Sequence, residues 1–169
     1  MRVKGYTAFM ELHAGQSFNR GLYRVHNDRS ASATREYFTV AYPKLASRLV
    51  PFGFDWLGRQ FAIDFGRLEG SNPLVMLLEP GSGEALEIPA SFVDFHDIEL
   101  VEYGEAALAS EFFEAWAAAD ASQLPLANKL CVGYKVPLFL GGTDDLANLE
   151  TVDMDVYWTL SAQLIAGIS

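Results

Sequence analysis

Sulfur nucleophiles, imidazoles and positive charge are all scarce in this 169-residue chain. A single cysteine, Cys131, excludes an intrachain disulfide and suits a reducing compartment. The three histidines, His13, His26 and His96, stand at no metal-ligand spacing from one another or from Cys131. His96 and Asp97 are sequence neighbours, so on a helix or a strand they point different ways. A zinc site takes three or four ligands, and none is expected. Long apolar runs are missing too. The longest, residues 73–78, is strand-sized, far short of the roughly 18 residues of a membrane span. Glu11 and His13 interrupt the apolar residues behind Met1 too early for a signal peptide. These absences predict a soluble, cytoplasmic protein.

Positive charge is short in number and uneven in place. Residues 1–67 hold 10 of the 12 Lys and Arg and only five of the 22 acids. Residues 68–169 set 17 acids against Lys129 and Lys135, a net charge of −15. Such a segment repels phosphate backbones, so direct nucleic-acid binding is not expected there. It complements a basic protein partner, because opposed potentials speed encounter and suppress wrong partners. A plainer reading, an acidic surface that only keeps the chain in solution, fits the same numbers.

Catalytic motifs are also lacking. There is no G-x-S-x-G, and Ser82 lies between Gly81 and Gly83 in an expected hairpin turn, not at a strand-to-helix elbow. The Gly141-Gly142 pair is followed by Thr143, Asp144 and Asp145, whose carboxylates disfavour phosphate, and the Lys-Ser/Thr of a phosphate loop is absent. The glycines read instead as positions of unusual backbone. Asp144, Asp145, Glu150, Asp153 and Asp155 form an acidic cluster without the spacing or central glycine of an EF-hand. They read as solvated or partner-facing, with no metal or cofactor.

What is present is ample material for a core: half the residues are hydrophobic and 13% aromatic, which excludes disorder. Residues 21–25 read as a strand. Ser30 or Ser32 can cap a helix to Tyr42, and Pro43 opens a second short helix. Residues 54–56 and 61–65 alternate like strands around a turn at Gly58, and residues 74–78, apolar on both faces, predict a central strand. The turn at residues 80–83 returns the chain through Leu86 and Ile88 as a hairpin. Ser91 is a candidate helix cap. Leu108, Phe112 and Trp116 predict one helix over 105–119. Residues 136–140 read as extended, Thr143 or Asp144 as the cap of a short turn holding Leu146 and Leu149. Val156, Leu160 and Leu164 recur at helical spacing in a terminal helix from about Met154. Trp158 is expected in the core and Tyr157 toward the surface, as an interface anchor. The expected architecture is α+β: one domain over 1–169, a mostly antiparallel twisted sheet flanked by helices, with 1–50 the least defined part.

One long signature carries a family likeness. Val132-Gly-Tyr-Lys-Val-Pro-Leu-Phe-Leu-Gly-Gly142, then Asn148-Leu149-Glu150, Val156-Tyr-Trp158 and Gln163-Leu164, resembles the C-terminal domain of bacterial type VI secretion immunity proteins. Those proteins are cytoplasmic antidotes to DNase effectors. The likeness runs weakly from about residue 50 and better after 125. Upstream, Ser91-Phe-Val-Asp-Phe-His96 between a hairpin and a helix is similar to the wider SUKH superfamily of immunity proteins, which bind toxins and lack catalytic activity. The chain departs from the family in residues 21–25, where an accompanying N-terminal domain is expected, and the effector is left open. The resemblance implies a non-catalytic protein that neutralises a cognate toxin, possible targets including a basic nuclease. With the charge pattern, it implies partner contacts among Glu99, Glu102, Glu105, Asp144, Asp145, Asp153, Asp155 and Tyr157. Two other readings stay open: a small ligand-binding protein or hydrolase with a pocket between Gly141 and Asp145 that uses His96 or Cys131, and an interaction module with no toxin.

Overall fold

The structure, a computed structural model, describes residues 3–168. Six strands form one antiparallel sheet in chain order: β1 (Ser17–Phe18), β2 (Tyr23–Val25), β3 (Leu49–Asp55), β4 (Gln60–Glu69), β5 (Asn72–Leu78) and β6 (Ala85–Ser91). The helices are α1 (Tyr6–His13), α2 (Asp28–Ala41), α3 (Pro43–Ala46), α4 (Phe92–Asp94), α5 (Leu100–Glu102), α6 (Gly104–Leu108), α7 (Ser110–Ala119) and α8 (Met154–Ile168). A π-turn, Phe95–Glu99, joins α4 to α5. A separate ribbon pairs β7 (Leu130–Tyr134) with β8 (Leu149–Asp153). The fold is α+β, as expected.

Helices cover both faces of the large sheet, which is why its strands read as continuous apolar runs. Val75 and Leu77 of β5 join one core with Phe92, Phe95, Leu108, Phe113 and Trp116. Met76 and Leu78 join the other with Phe38, Trp158, Ala162 and Ile165. The expected central strand and its hairpin to β6 are both present. In β3 the alternation breaks: Phe52 and Phe54 enter opposite cores because the pairing with β4 shifts between Pro51 and Gly53. A bulge of this kind turns the following side chains over.

Several local expectations are corrected. Asn27, not Ser30 or Ser32, caps α2: its side chain accepts from Ser30 N, while Ser30 returns a bond to Asn27 N. This is a capping box, with Ser30 in its third position. The single helix over 105–119 is two, broken at Ala109 with φ 49°. The break leaves the Ala107 and Leu108 carbonyls to side chains: Arg59 donates to the first at 3.1 Å and Trp56 Nε1 to the second at 3.0 Å. Residues 136–140 are not extended; Leu138–Leu140 is a 3-10 turn. Asp145, not Thr143 or Asp144, caps the turn Leu146–Asn148, and Leu149 begins β8. The terminal helix forms from Met154, but Val156, Leu160 and Leu164 lie on its outer face, 52%, 57% and 42% exposed. Its inner face is Tyr157, Trp158, Ser161, Ala162 and Ile165. Tyr157 is thus buried, contrary to expectation, because it packs under the β7–β8 ribbon and its hydroxyl accepts from Tyr134 N at 3.2 Å. Among the described residues, no helix is long and apolar enough to cross a membrane.

Candidate partner-binding surface

Four arginines of the first half are spent within the fold. Arg24 is fully buried and donates to the carbonyls of Ala127, Leu130 and Asp55 at 3.0, 2.6 and 2.8 Å. Its guanidinium lies 4.5 Å from the Phe54 ring centroid, a cation–π contact. Desolvation lowers Arg24 to about 10, which keeps it charged at neutral pH. Arg59 bridges Asp55 at 2.6 Å and Glu79 at 3.1 Å. Burial pushes the Asp55 carboxyl up, against the pull of Arg59 and Arg24. Arg48 pairs with Asp64, and Arg67 with Glu87. The excess of positive charge in residues 1–67 is therefore not a basic surface of the same size.

The acids of residues 68–169 behave oppositely. None of the 17 is buried, and only Glu79, Glu99 and Asp153 are even half-covered. Most of the candidate acids nevertheless hold local structure. Glu105 accepts from Ser110 Oγ and Glu111 N, closing the start of α7. Asp144 accepts from the Tyr134 hydroxyl at 2.6 Å. Asp145 accepts from Asn148 N, and Asp153 from the N–H groups of Asp155 and Val156 at the start of α8. Asp155 accepts from the Tyr37 hydroxyl, and Tyr37 in turn stacks on Trp158 at 5.6 Å. Glu99 and Glu102 carry no side-chain hydrogen bond or ion pair among the described residues.

Two of the candidates line clefts. Asp144 lines a small cleft of about 140 Å³ with Ala109 and Phe112, next to the turn that Glu105 closes. Asp155 lines a different cleft, against α2. The first cleft lies near the suggested Gly141–Asp145 pocket. Arg59, Glu79, Ser82 and Tyr134 also line it, with no histidine or cysteine among the described residues. His96 is elsewhere, hydrogen-bonded to the Tyr23 hydroxyl at 3.0 Å and packed against Phe9 and Phe92. Burial lowers its pKa. Cys131 is buried in the opposite core, where desolvation pushes the thiol up to about 12. A thiol so placed is a poor nucleophile at neutral pH. The sequence-suggested trio of His96, Cys131 and the acids near Gly141 is not brought together.

The C-terminal part of this surface has known relatives. Residues 101–165 match the family described as T6SS immunity protein Tdi1, C-terminal. That match likens this segment to the type VI secretion immunity proteins. The immunity-like segment starts in α5 and ends near the close of α8, so it includes the whole ribbon and every candidate acid except Glu99. Among solved structures, the chain is similar to the crystal structure of Atu4351 from Agrobacterium tumefaciens, with a TM-score of 0.65 at 18% identity. That likeness covers 94% of this chain and 74% of the other, and it reports shared fold. No curated protein matches the chain.

The geometry also shows what the immunity-like segment's signature does. Asn148 is buried; its Oδ1 accepts from Val136 N at 3.0 Å, and its Nδ2 donates to Val136 O at 2.9 Å and Thr143 O at 2.8 Å. One side chain thus imitates a strand neighbour and staples the loop over residues 136–143. Gly141 sits at φ 89°, and a Cβ on Gly142 would lie 1.9 Å from Val136 O. The glycine pair and Asn148 are one device. The sequence marks the glycines as positions of unusual backbone and Asn148 only as part of the family signature; its bonds to Val136 and Thr143 come with the fold.

Proposed function

We propose that this chain binds and neutralises a cognate protein toxin without chemistry of its own, through its exposed acidic surface. The match of residues 101–165 to the type VI secretion immunity family carries the reading. The charge distribution supports the mode: the acids lie outside, while Arg24, Arg48, Arg59 and Arg67 of the first half are committed to partners within the fold. A toxin that acts on nucleic acid must present a basic surface for phosphates, and an acidic inhibitor can occupy that surface. The target proposed is therefore a basic nuclease in the cytoplasm. The contact residues are drawn from Glu99, Glu102, Glu105, Asp144, Asp145, Asp153 and Asp155; Tyr157, being buried, is not among them.

The test is to seek a toxin-like reading frame beside the gene and co-express its product with the chain. Growth restored by the chain, together with a stable complex on gel filtration, is expected. Persistent growth arrest with no complex overturns the reading for that toxin.

A further inference from the structure

We propose that the cleft where the first turns of α2 meet the start of α8 binds a small organic anion with a flat apolar body. Arg29 and Lys129 hold its acid group. The cleft is the larger of the two described above, with a volume of about 420 Å³. That lies within the range of roughly 300–1,000 Å³ usual for small-molecule sites.

The chemistry of the lining selects the ligand. Ala33, Phe54 and Met154 supply apolar wall, suited to a ring or short hydrocarbon. Further in, a hydrogen-bonded chain runs from Ser30 Oγ to His26 Nδ1 at 2.9 Å and from His26 Nε2 to Gln60 Oε1 at 2.9 Å. Gln60 Nε2 donates to Gly58 O at 3.1 Å. With Gln60 so oriented, His26 Nε2 donates and Nδ1 accepts from the Ser30 hydroxyl. Desolvation lowers His26 to about 4, so this wall is neutral at physiological pH and its hydrogen bonds are already made. It neither demands nor favours a charged group inside.

Charge sits at the exposed rim. Arg29 and Lys129 have no ion pair or side-chain hydrogen bond among the described residues. Lys129 is one of only two cations in residues 68–169. The opposing carboxylate, Asp155, is held by the Tyr37 hydroxyl. In the lining itself two cations stand against one acid, with Asp153 and Glu36 near enough to act on Tyr37 from outside it. An anion enters with its acid group at the rim and its apolar part toward Phe54. Lys129, Met154 and Asp155 come from the immunity-like segment, and Arg29, Ala33 and Phe54 from the first half, so a bound anion ties the two together.

The experiment is an amide-resolved NMR titration of the full chain with three probes: benzoate, phenyl phosphate and neutral benzamide. At least one anion is expected to bind in the millimolar range or tighter, shifting resonances of α2 and of residues 128–129 and 154–155. The tighter of the two anions tells carboxylate from phosphoryl ligands. Arg29→Ala and Lys129→Ala, both at exposed positions, are each expected to weaken binding about tenfold, as loss of a charge-assisted contact does. Ala33→Leu should reduce it by occupying the apolar wall. Benzamide binding as tightly as benzoate, unchanged affinity in both charge variants, or no localised shifts up to tens of millimolar would overturn the proposal. None of these outcomes bears on toxin neutralisation.

Discussion

The two ends of this chain handle charge in opposite ways. In the six-stranded half, Arg24, Asp55, Arg59 and Asp64 are inside or nearly so, and each is paired or hydrogen-bonded. In residues 101–165, the core is neutral, the loops are held by Asn148 and by caps, and every carboxylate reaches solvent. Charges that stabilise a core are unavailable to a partner. Charges that only cap helices keep their outer lone pairs free. Every carboxylate of residues 68–169 therefore reaches a surface, where only part of the positive charge of residues 1–67 does.

The comparison breaks most visibly at Asp55. Asp55→Ala leaves Arg59 and Arg24 short of a buried counter-charge and is expected to destabilise by about 4 kcal/mol, measured by urea unfolding. Asn148→Ala attacks the neutral counterpart and removes three hydrogen bonds from a buried side chain. It is expected to cost about 3 kcal/mol, with proteolysis appearing first in residues 136–143.

His26 offers a pH test of the first half. Its folded pKa, about 4, lies below the unfolded value of 6.5, so the unfolded chain binds the extra proton between them. Its contribution is complete above pH 6.5 and is lost as pH falls, by about 2 kcal/mol down to pH 5. His26→Gln should flatten that limb of the stability profile. A wild-type profile flat from pH 7 to 5 would contradict a buried neutral imidazole. The smallest effect is expected at the surface: Glu99→Gln with Glu102→Gln should change stability by less than about 0.5 kcal/mol.

Much of this was legible from the residues. Period-two alternation marked β4, a run apolar on both faces marked β5, and the turn at residues 80–83 marked the hairpin. Where reading failed, a tertiary partner decided. Leu108, Phe112 and Trp116 fit one helix, but Trp56 and Arg59 claim the Ala107 and Leu108 carbonyls and the helix breaks at Ala109. Val156, Leu160 and Leu164 have the spacing of a core face, yet the larger aromatics Tyr157 and Trp158 take the inner side of α8. Of the site, the sequence gives the acids and their sign. It cannot give the capping by Glu105, Asp145 and Asp153 or the tyrosine bonds of Asp144 and Asp155, since these depend on which N–H or hydroxyl reaches each carboxylate. The α2–α8 cleft was invisible because its lining comes from two distant segments, residues 26–60 and 128–155.

That capping work dictates how the central claim is tested. Asn keeps the cap acceptor where Ala would not, so Asp144→Asn and Asp145→Asn combined with Glu99→Gln and Glu102→Gln remove charge and leave the local structure standing. The decisive measurement is the dissociation constant of this variant and of the wild-type chain for the toxin, at low and high salt. An acidic interface predicts at least about tenfold weaker binding by the variant at low salt, with a shallower salt dependence. Equal affinity and equal salt dependence in a folded variant would contradict it.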